Sequence, residues 1–262
     1  MSEVDFRNIK IAFFDLDGTI VYKDNIINPL IRQTLDQLRK NGILVCMATG
    51  RANLEIPEFN VDFDVRMTFN GGCCFNEKEI IYGLTVDKNE IMQVVKNASE
   101  INRPTVVAGM NHIVANFVDD DIMEYVGFSK LNLQASDNFY DVIENEDIYE
   151  LMVSCLKSDH EQFIKDTKNL KVTDWWDRAV DIIPLQSGKG KGVSEILKYY
   201  GLSKDEAIAF GDGNNDIELL QACGTAVAMG NASERLKAIA THICGDCKDD
   251  GVYYFCKEKG LI

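Results

Sequence analysis

The stretch Phe13-Phe14-Asp15-Leu16-Asp17-Gly18-Thr19 constrains this chain more than any other. It closes an apolar run from Ile9 to Phe14, short and aromatic-rich enough for a buried strand. Two carboxylates follow where the strand should end, and Gly18 then permits a tight turn close to a ligand. In an open parallel sheet, ligands bind beyond the carboxyl ends of the strands. Asp15 and Asp17 are therefore expected at the mouth of a site, close enough to share a cation.

The segments that follow repeat this layout. Asn28 and Pro29 start a helix whose apolar face is Leu30, Ile31, Leu35 and Leu38, with Gly42 after it. Ile43 to Ala48 reads as a strand ending in Thr49-Gly50-Arg51, and Val65 to Phe69 as another ending in Asn70-Gly71-Gly72. Cys73 to Tyr82 has the pattern of a hairpin. After Gly83 the character changes. A helix from Asp87 to Ile101 precedes strands at Thr105–Ala108 and His112–Phe117. Then come a strand at Leu151–Cys155, a helix from about Asp159 to Lys168, and strands at Leu170–Thr173 and Arg178–Ile183. Such alternation predicts an α+β unit of about 100 residues. The acidic stretches at Asp119-Asp120-Asp121 and Glu144 to Asp147 read as solvated loops or helix starts. From Ser187 the α/β pattern returns: a helix from Lys189 to Tyr200, a strand from Ala207 to Phe210 ending in Gly211-Asp212-Gly213-Asn214-Asn215-Asp216, and helices over Ile217–Cys223 and Ala232–Ala240 alternating with strands at Thr225–Met229 and Thr241–Cys244. The expected architecture is an α/β parallel-sheet core, residues 1–83 and 184–262, interrupted by an α+β insertion over 84–183.

A length of 262 residues suits one large domain or a core with a smaller partner. The formal net charge of −15 argues against nucleic acid or an anionic membrane surface as a partner. The acidic N-terminus carries no secretion signal and no apolar run could span a bilayer, so the chain reads as cytoplasmic and its eight Cys as small core residues. His242-x-Cys244-x-x-Cys247 lacks the second ligand pair of a structural zinc site. The run from Asp212 to Cys223 has Ile217 and Cys223 where a calcium loop needs Gly and Glu, and Ser187 to Gly192 is not a P-loop.

The remaining polar groups have one common use. Three strands end at Asp15 and Asp17, at Thr49, and at Asp212, and Lys189 opens a helix. Covalent phosphoryl transfer needs a carboxylate to accept the phosphoryl group and a hard cation such as Mg²⁺ to neutralise charge. It also needs a Lys and a hydroxyl to hold phosphate oxygens, and a second carboxyl to move protons. The order and spacing resemble the Cof-type branch of the haloacid dehalogenase superfamily over nearly the whole chain. That resemblance implies a Rossmann-like catalytic core with an inserted cap that selects substrate. It makes Asp15 the nucleophile and Asp17 the general acid/base. Thr49 with Gly50, Lys189, Asn215 and, more weakly, Asn70 would bind phosphate or substrate. Asp15, Asp212, the Asp17 carbonyl and Asp216, directly or through water, would hold Mg²⁺.

Lys189 and Lys191 both precede a glycine. In the family pattern apolar residues fall four and seven positions after the lysine, with a helix-ending Gly twelve after. Lys189 meets this with Val193, Ile196 and Gly201, whereas Lys191 would give Glu195 and Lys198. The expected activity is a phosphatase acting on a small phosphorylated metabolite, such as a sugar phosphate. A phosphomutase and a non-catalytic phosphometabolite-binding protein are the alternatives. Trp175-Trp176 are candidates for the cap surface facing substrate or for packing. Nothing in the sequence speaks to oligomeric state.

Overall fold

The structure, a computed structural model, describes residues 5–23, 25–173 and 176–262. They form two compact units. The first comprises Met1–Gly50, Pro57–Tyr82 and Gly188–Ile262, and the second Arg51–Ile56 and Gly83–Ser187.

The first unit is built on one large sheet. Its strands are β1 (Ile11–Phe14), β2 (Leu44–Ala48), β3 (Val65–Thr68), β4 (Cys73–Phe75) and β5 (Ile80–Gly83), and, after the second unit, β11 (Ala207–Gly211), β12 (Thr225–Ala228) and β13 (His242–Ile243). Their order across the sheet is β13-β12-β11-β1-β2-β3-β4-β5. From β13 to β3 all pairings are parallel, and the β3–β4 pair is antiparallel. Strands β1 and β11 are buried along their whole length, as expected of parallel strands covered on both faces. Helices α1 (Pro29–Lys40), α6 (Lys189–Tyr200), α7 (Ile217–Ala222), α8 (Glu234–Ile239) and α9 (Gly251–Glu258) belong to the same unit. Asn28 caps α1 by accepting from the Ile31 N–H at 2.9 Å, and Gly201 ends α6 in the left-handed conformation, φ 66°.

The order places β1 at the centre, flanked by β2 and β11, which were entered in opposite directions from it. This is the topological switch point where open α/β sheets place their ligands. The C-terminal ends of β1, β2 and β11 are followed by Asp15, Thr49 and Asp212.

The second unit carries a five-stranded sheet, β7 (Ile113–Ala115), β6 (Thr105–Gly109), β8 (Ile148–Ser154), β10 (Ala179–Pro184) and β9 (Leu170–Thr173) in that order. All its pairings are antiparallel. Its helices are α2 (Lys88–Glu100), α3 (Asp120–Gly127), α4 (Phe139–Asn145) and α5 (His160–Phe163). One sheet face packs an apolar cluster with Ile91, Val94 and Val95 of α2 and Phe139, Val142 and Ile143 of α4.

The acidic run at Asp119 is a helix start, one of its two sequence readings, with Asp119 accepting from the Ile122 N–H at 2.8 Å. Two local differences from the sequence reading have clear causes. The helix expected to Lys168 stops at Phe163, and the chain turns at Asp166 with φ 63°. Strand β3 stops at Thr68 because Phe69 takes a positive φ. Trp175 lies outside the described residues, whereas Trp176 packs 5.8 Å from the Tyr125 ring and 4.3 Å from the Arg178 guanidinium. No described helix is long and apolar enough to cross a membrane.

Candidate active site

Asp15 follows β1 directly, and its backbone N–H still bonds the Phe210 carbonyl at 3.0 Å, which holds it against β11. It is 5% exposed. Leu16 is buried and Asp17 exposed, so the Asp-Leu-Asp sequence anchors one carboxylate in the site and leaves the other at its rim. Gly18 turns the chain with φ 82°. A Cβ there would sit 2.1 Å from Asp212 Oδ2, so any larger residue would displace the Asp212 carboxylate.

On the β11 side, Asp216 is fully buried in a short 3-10 turn over Asn214–Asp216. Its Oδ2 accepts from the backbone N–H groups of Asp212 and Gly213, each at 3.0 Å. Asp216 thereby holds the loop that presents Asp212. Among the described residues, Asp15, Asp212 and Asp216 are the one acidic group whose ligand atoms all lie within 4.8 Å of one another.

Lys189 enters this cluster from the first residue of α6. Its ammonium donates to Asp15 Oδ1 at 2.7 Å and to Asp216 Oδ1 at 2.6 Å, and the side chain is only 1% exposed. Helical side chains lean toward the N-terminus, so a residue at the helix start can reach past it. Val193 and Ile196 anchor the same helix in the core at 0% exposure. Lys191 points elsewhere. It donates to Glu195 Oε1 at 2.7 Å and lies 5.5 Å from the Tyr82 ring, with its side chain 43% exposed.

Thr49 and Gly50 follow β2. Thr49 is 1% exposed, and its N–H bonds the Met67 carbonyl at 2.9 Å. Phe69, Asn70 and Gly71 then take φ values of 52°, 51° and 85° in succession. A buried Phe in the left-handed region is strained, and such strain collects at functional sites. The Asn70 N–H bonds the Thr49 carbonyl at 3.3 Å. The turn fits only through glycines on both sides. A Cβ on Gly50 would lie 2.9 Å from Asn70 Oδ1, and one on Gly71 would lie 2.3 Å from the Gly188 carbonyl oxygen. Gly50, Asn70 and the start of α6 are thus brought together. Asn215 is exposed and sits over Gly213, where a Cβ would meet its Oδ1 at 2.5 Å.

The electrostatics are those of a site short of positive charge. Burial pushes the Asp15 carboxyl well above the ordinary carboxylate range, and Asp216 adds to this, while Lys189 pulls it down. Burial, then Asp216, pushes Asp212 up to about 7, with Asp17 adding and Lys189 opposing. Burial alone would lower Lys189, but Asp15 and Asp216 outweigh it and keep the ammonium charged. Three hard oxygen donors around a deficit of positive charge fit a divalent cation such as Mg²⁺.

Asn231 is a residue the sequence reading did not single out. Its Nδ2 donates to the Gly18 carbonyl at 2.8 Å and to Asp212 Oδ2 at 3.2 Å, while its Oδ1 accepts from the Cys247 N–H at 2.9 Å. It ties the Asp-x-Asp-Gly turn to the Asp212 carboxylate. The available signal was its position just beyond β12, the fourth strand end on the same edge of the sheet. Replacing Asn231 by Ala should weaken Mg²⁺ binding by about tenfold, the usual cost of losing a residue that orients a ligand. A metal titration of the folded variant checks this, and an unchanged affinity would assign Asn231 to packing.

The sequence pattern of the haloacid dehalogenase-like hydrolases matches residues 12–256. The chain belongs to that family. YkrA of Bacillus subtilis, named as a phosphatase, is 28% identical over 256 residues, covering 97% of this chain and 98% of its own. The HMP-PP phosphatase of Klebsiella pneumoniae is 26% identical, with 94% of each chain covered. The 5-amino-6-(5-phospho-D-ribitylamino)uracil phosphatase YitU of Bacillus subtilis is also 26% identical, over 93% of this chain and 95% of its own. A Geobacillus kaustophilus crystal structure superimposes with a TM-score of 0.88 at 28% identity, over 97% of this chain and all of the other. The subclass IIB sugar phosphatase BT4131 has the same fold, with a TM-score of 0.83 at 24% identity over 97% of this chain and all of its own. This member of the family is a phosphoric monoester hydrolase.

Proposed function

We propose that the chain is a Mg²⁺-dependent phosphatase that hydrolyses a small phosphorylated metabolite in the cytoplasm through a phosphoryl group carried on Asp15. The observation that carries this reading is the Lys189 ammonium held between Asp15 and Asp216, with Asp212 beside them. A buried carboxylate is a usable nucleophile only if it is ionised, and Lys189 favours the ionised form.

Asp15 Oδ attacks phosphorus, and the bond from phosphorus to the ester oxygen breaks. Asp17 gives its proton to that oxygen, releasing an alcohol. Asp17, now a carboxylate, takes a proton from water, whose oxygen attacks phosphorus. The bond to Asp15 breaks, and inorganic phosphate leaves. Lys189, Thr49 and the N–H groups around Gly50 hold the phosphoryl oxygens, and Asn70 and Asn215 contact phosphate or substrate. Asp15, Asp212, the Asp17 carbonyl and Asp216 would hold Mg²⁺, which offsets the charge of the phosphoryl group. Asp216, whose two oxygens already accept from Lys189 and the 212–213 backbone, serves chiefly to orient. The second unit is the cap that selects substrate. The names of two relatives, an HMP-PP phosphatase and a 5-amino-6-(5-phospho-D-ribitylamino)uracil phosphatase, support a metabolite over a protein substrate.

Phosphate release across a panel of metabolite esters with Mg²⁺ tests the reading. Inorganic phosphate should appear in step with dephosphorylated alcohol. An isomerised ester with little free phosphate would make the enzyme a mutase, and binding without turnover would make it a carrier.

The metal should also respond to pH in a defined direction. Asp212 binds a cation only when deprotonated, and without one its pKa stands at about 7. Protons therefore compete below that value, and Mg²⁺ affinity should fall by up to about tenfold per pH unit from about 7 downward. Calorimetric titrations between acid and neutral pH check this, and an affinity flat across the range would remove Asp212 from the ligand set.

A further inference from the structure

Helix α6 opens Gly188-Lys189-Gly190-Lys191-Gly192, with Gly188 at its N-cap. Glycine costs stability inside a helix, and as an N-cap it offers the orphan N–H groups no side chain. Each of these glycines answers instead to a neighbour. A Cβ on Gly192 would lie 2.9 Å from the end of the Met67 side chain. The other two face Glu218. A Cβ on Gly190 would lie 2.9 Å from the Glu218 carbonyl oxygen, and one on Gly188 would lie 2.1 Å from Glu218 Oε2. Gly188 has φ 170°, extended backbone that any residue adopts, so its conformation does not call for glycine. The Glu218 carboxylate does.

Glu218 stands in the first turn of α7, two residues after Asp216. The two acids hold Lys189 at its two ends. Asp216 Oδ1 accepts from the ammonium at 2.6 Å, and Glu218 fills the space over Gly188, the residue that launches Lys189. The left-handed turn at Phe69–Gly71 meets the same residue. There a Cβ on Gly71 would lie 2.3 Å from the Gly188 carbonyl oxygen and 3.0 Å from Lys189 Cα. The backbone that carries Lys189 is thus seated between the Gly71 turn and Glu218. Glu218 is exposed, so it is not placed there to fill the core. An acid at the start of a 12-residue helix also meets the positive end of its dipole.

We propose that Glu218 is a positioning residue, whose carboxylate seats the start of α6 so that the Lys189 ammonium lands between Asp15 and Asp216. Its importance for turnover rests on the phosphatase reading, in which that ammonium holds the phosphoryl group. Glu218 acts through Lys189 and touches no reacting atom.

Glu218→Ala should lower kcat by about tenfold, as a small misplacement of a group at the reacting centre does. Gly188→Ala is the independent variant. It keeps Glu218 in the chain and drives the carboxylate off the helix start, so kcat should fall by a similar factor. The two changes together should lose no more than about twofold beyond either alone. Added to Lys189→Ala, Glu218→Ala should change turnover by less than about twofold, because the group it positions is gone. A residue that only supports the fold would add its full loss in that background. Such additivity, or wild-type kcat in folded Glu218→Ala, overturns the proposal. Wild-type turnover of p-nitrophenyl phosphate, and its fall in Lys189→Ala, report on the phosphatase reading separately. If no ester is hydrolysed, or Lys189→Ala turns over normally, amide hydrogen exchange decides. Faster exchange at residues 189–191 in Glu218→Ala, with the rest of α6 unchanged, supports the seating of the helix start, and unchanged exchange there overturns it.

Discussion

Asp15→Asn should abolish turnover while leaving the protein folded and no less stable. The substitution keeps the size of the side chain and removes the one atom set proposed to attack phosphorus, so a loss of roughly 10⁴-fold or more is expected. Its effect on stability follows from the direction of the pKa shift. The folded state holds the Asp15 carboxyl well above its ordinary value, so the group binds protons more tightly folded than unfolded. Such a carboxyl costs stability once the pH exceeds its unfolded value near 3.8, and the cost grows toward the folded pKa. Asn carries no such cost. The melting temperature of the variant should therefore match the wild type in acid and equal or exceed it near neutral pH, apart from the bond lost to Lys189 at 2.7 Å. A beryllium fluoride adduct should form on the wild-type carboxylate and not on the variant. Near-normal turnover by Asp15→Asn would end the covalent mechanism.

The parts of this molecule that could be read from its sequence are those where local pattern and long-range position coincide. Short apolar runs ending in polar or glycine-rich turns marked the six strands of the parallel core, because strands buried on both faces carry little polar alternation. The same runs put Asp15, Thr49 and Asp212 on one edge of the sheet, since parallel strands share a direction. What escaped was set by tertiary contact. Asn231 acts through two partners, Gly18 and Asp212, that lie far from it in sequence. The left-handed Phe69 runs against the residue's own preference, and no sequence pattern marks a conformation that neighbouring backbone imposes. The Arg51–Ile56 segment follows the core residue Gly50 directly yet belongs with the second unit, where Asn53 donates to the Met110 carbonyl at 3.2 Å. Two buried acids, Glu150 of β8 and Asp181 of β10, were hidden inside strands read only for their apolar alternation.

Lys189→Ala should cost both activity and stability, whereas Lys191→Ala should cost little of either. The two lysines stand two residues apart at the start of one helix. Lys189 is the sole ammonium bonded to both Asp15 and Asp216 among the described residues, and it is buried with them. The bond proposed for it to the phosphoryl group would be charge-assisted and would strengthen as charge develops, so its loss should lower turnover on the order of a hundredfold or more. Truncation also strands two buried carboxylates, at about 3–5 kcal/mol, less whatever is relieved when Asp15 takes up a proton. That relief fixes the direction with pH. The Asp15 carboxyl is held well above its ordinary value by burial and Asp216, with Lys189 opposing, so the stability deficit should be largest at neutral pH and shrink in acid as Asp15 takes up its proton. Lys191 meets Glu195 and the Tyr82 ring near the surface, where solvent screens the pair. Its removal should leave turnover within about threefold of the wild type. Steady-state kinetics and melting curves on both variants measure the contrast. A deficit from Lys189→Ala that ignores pH would mean that its loss creates a cavity rather than unpaired charge, and the reverse ranking of the two lysines in turnover would shift the phosphate-binding position by two residues along α6.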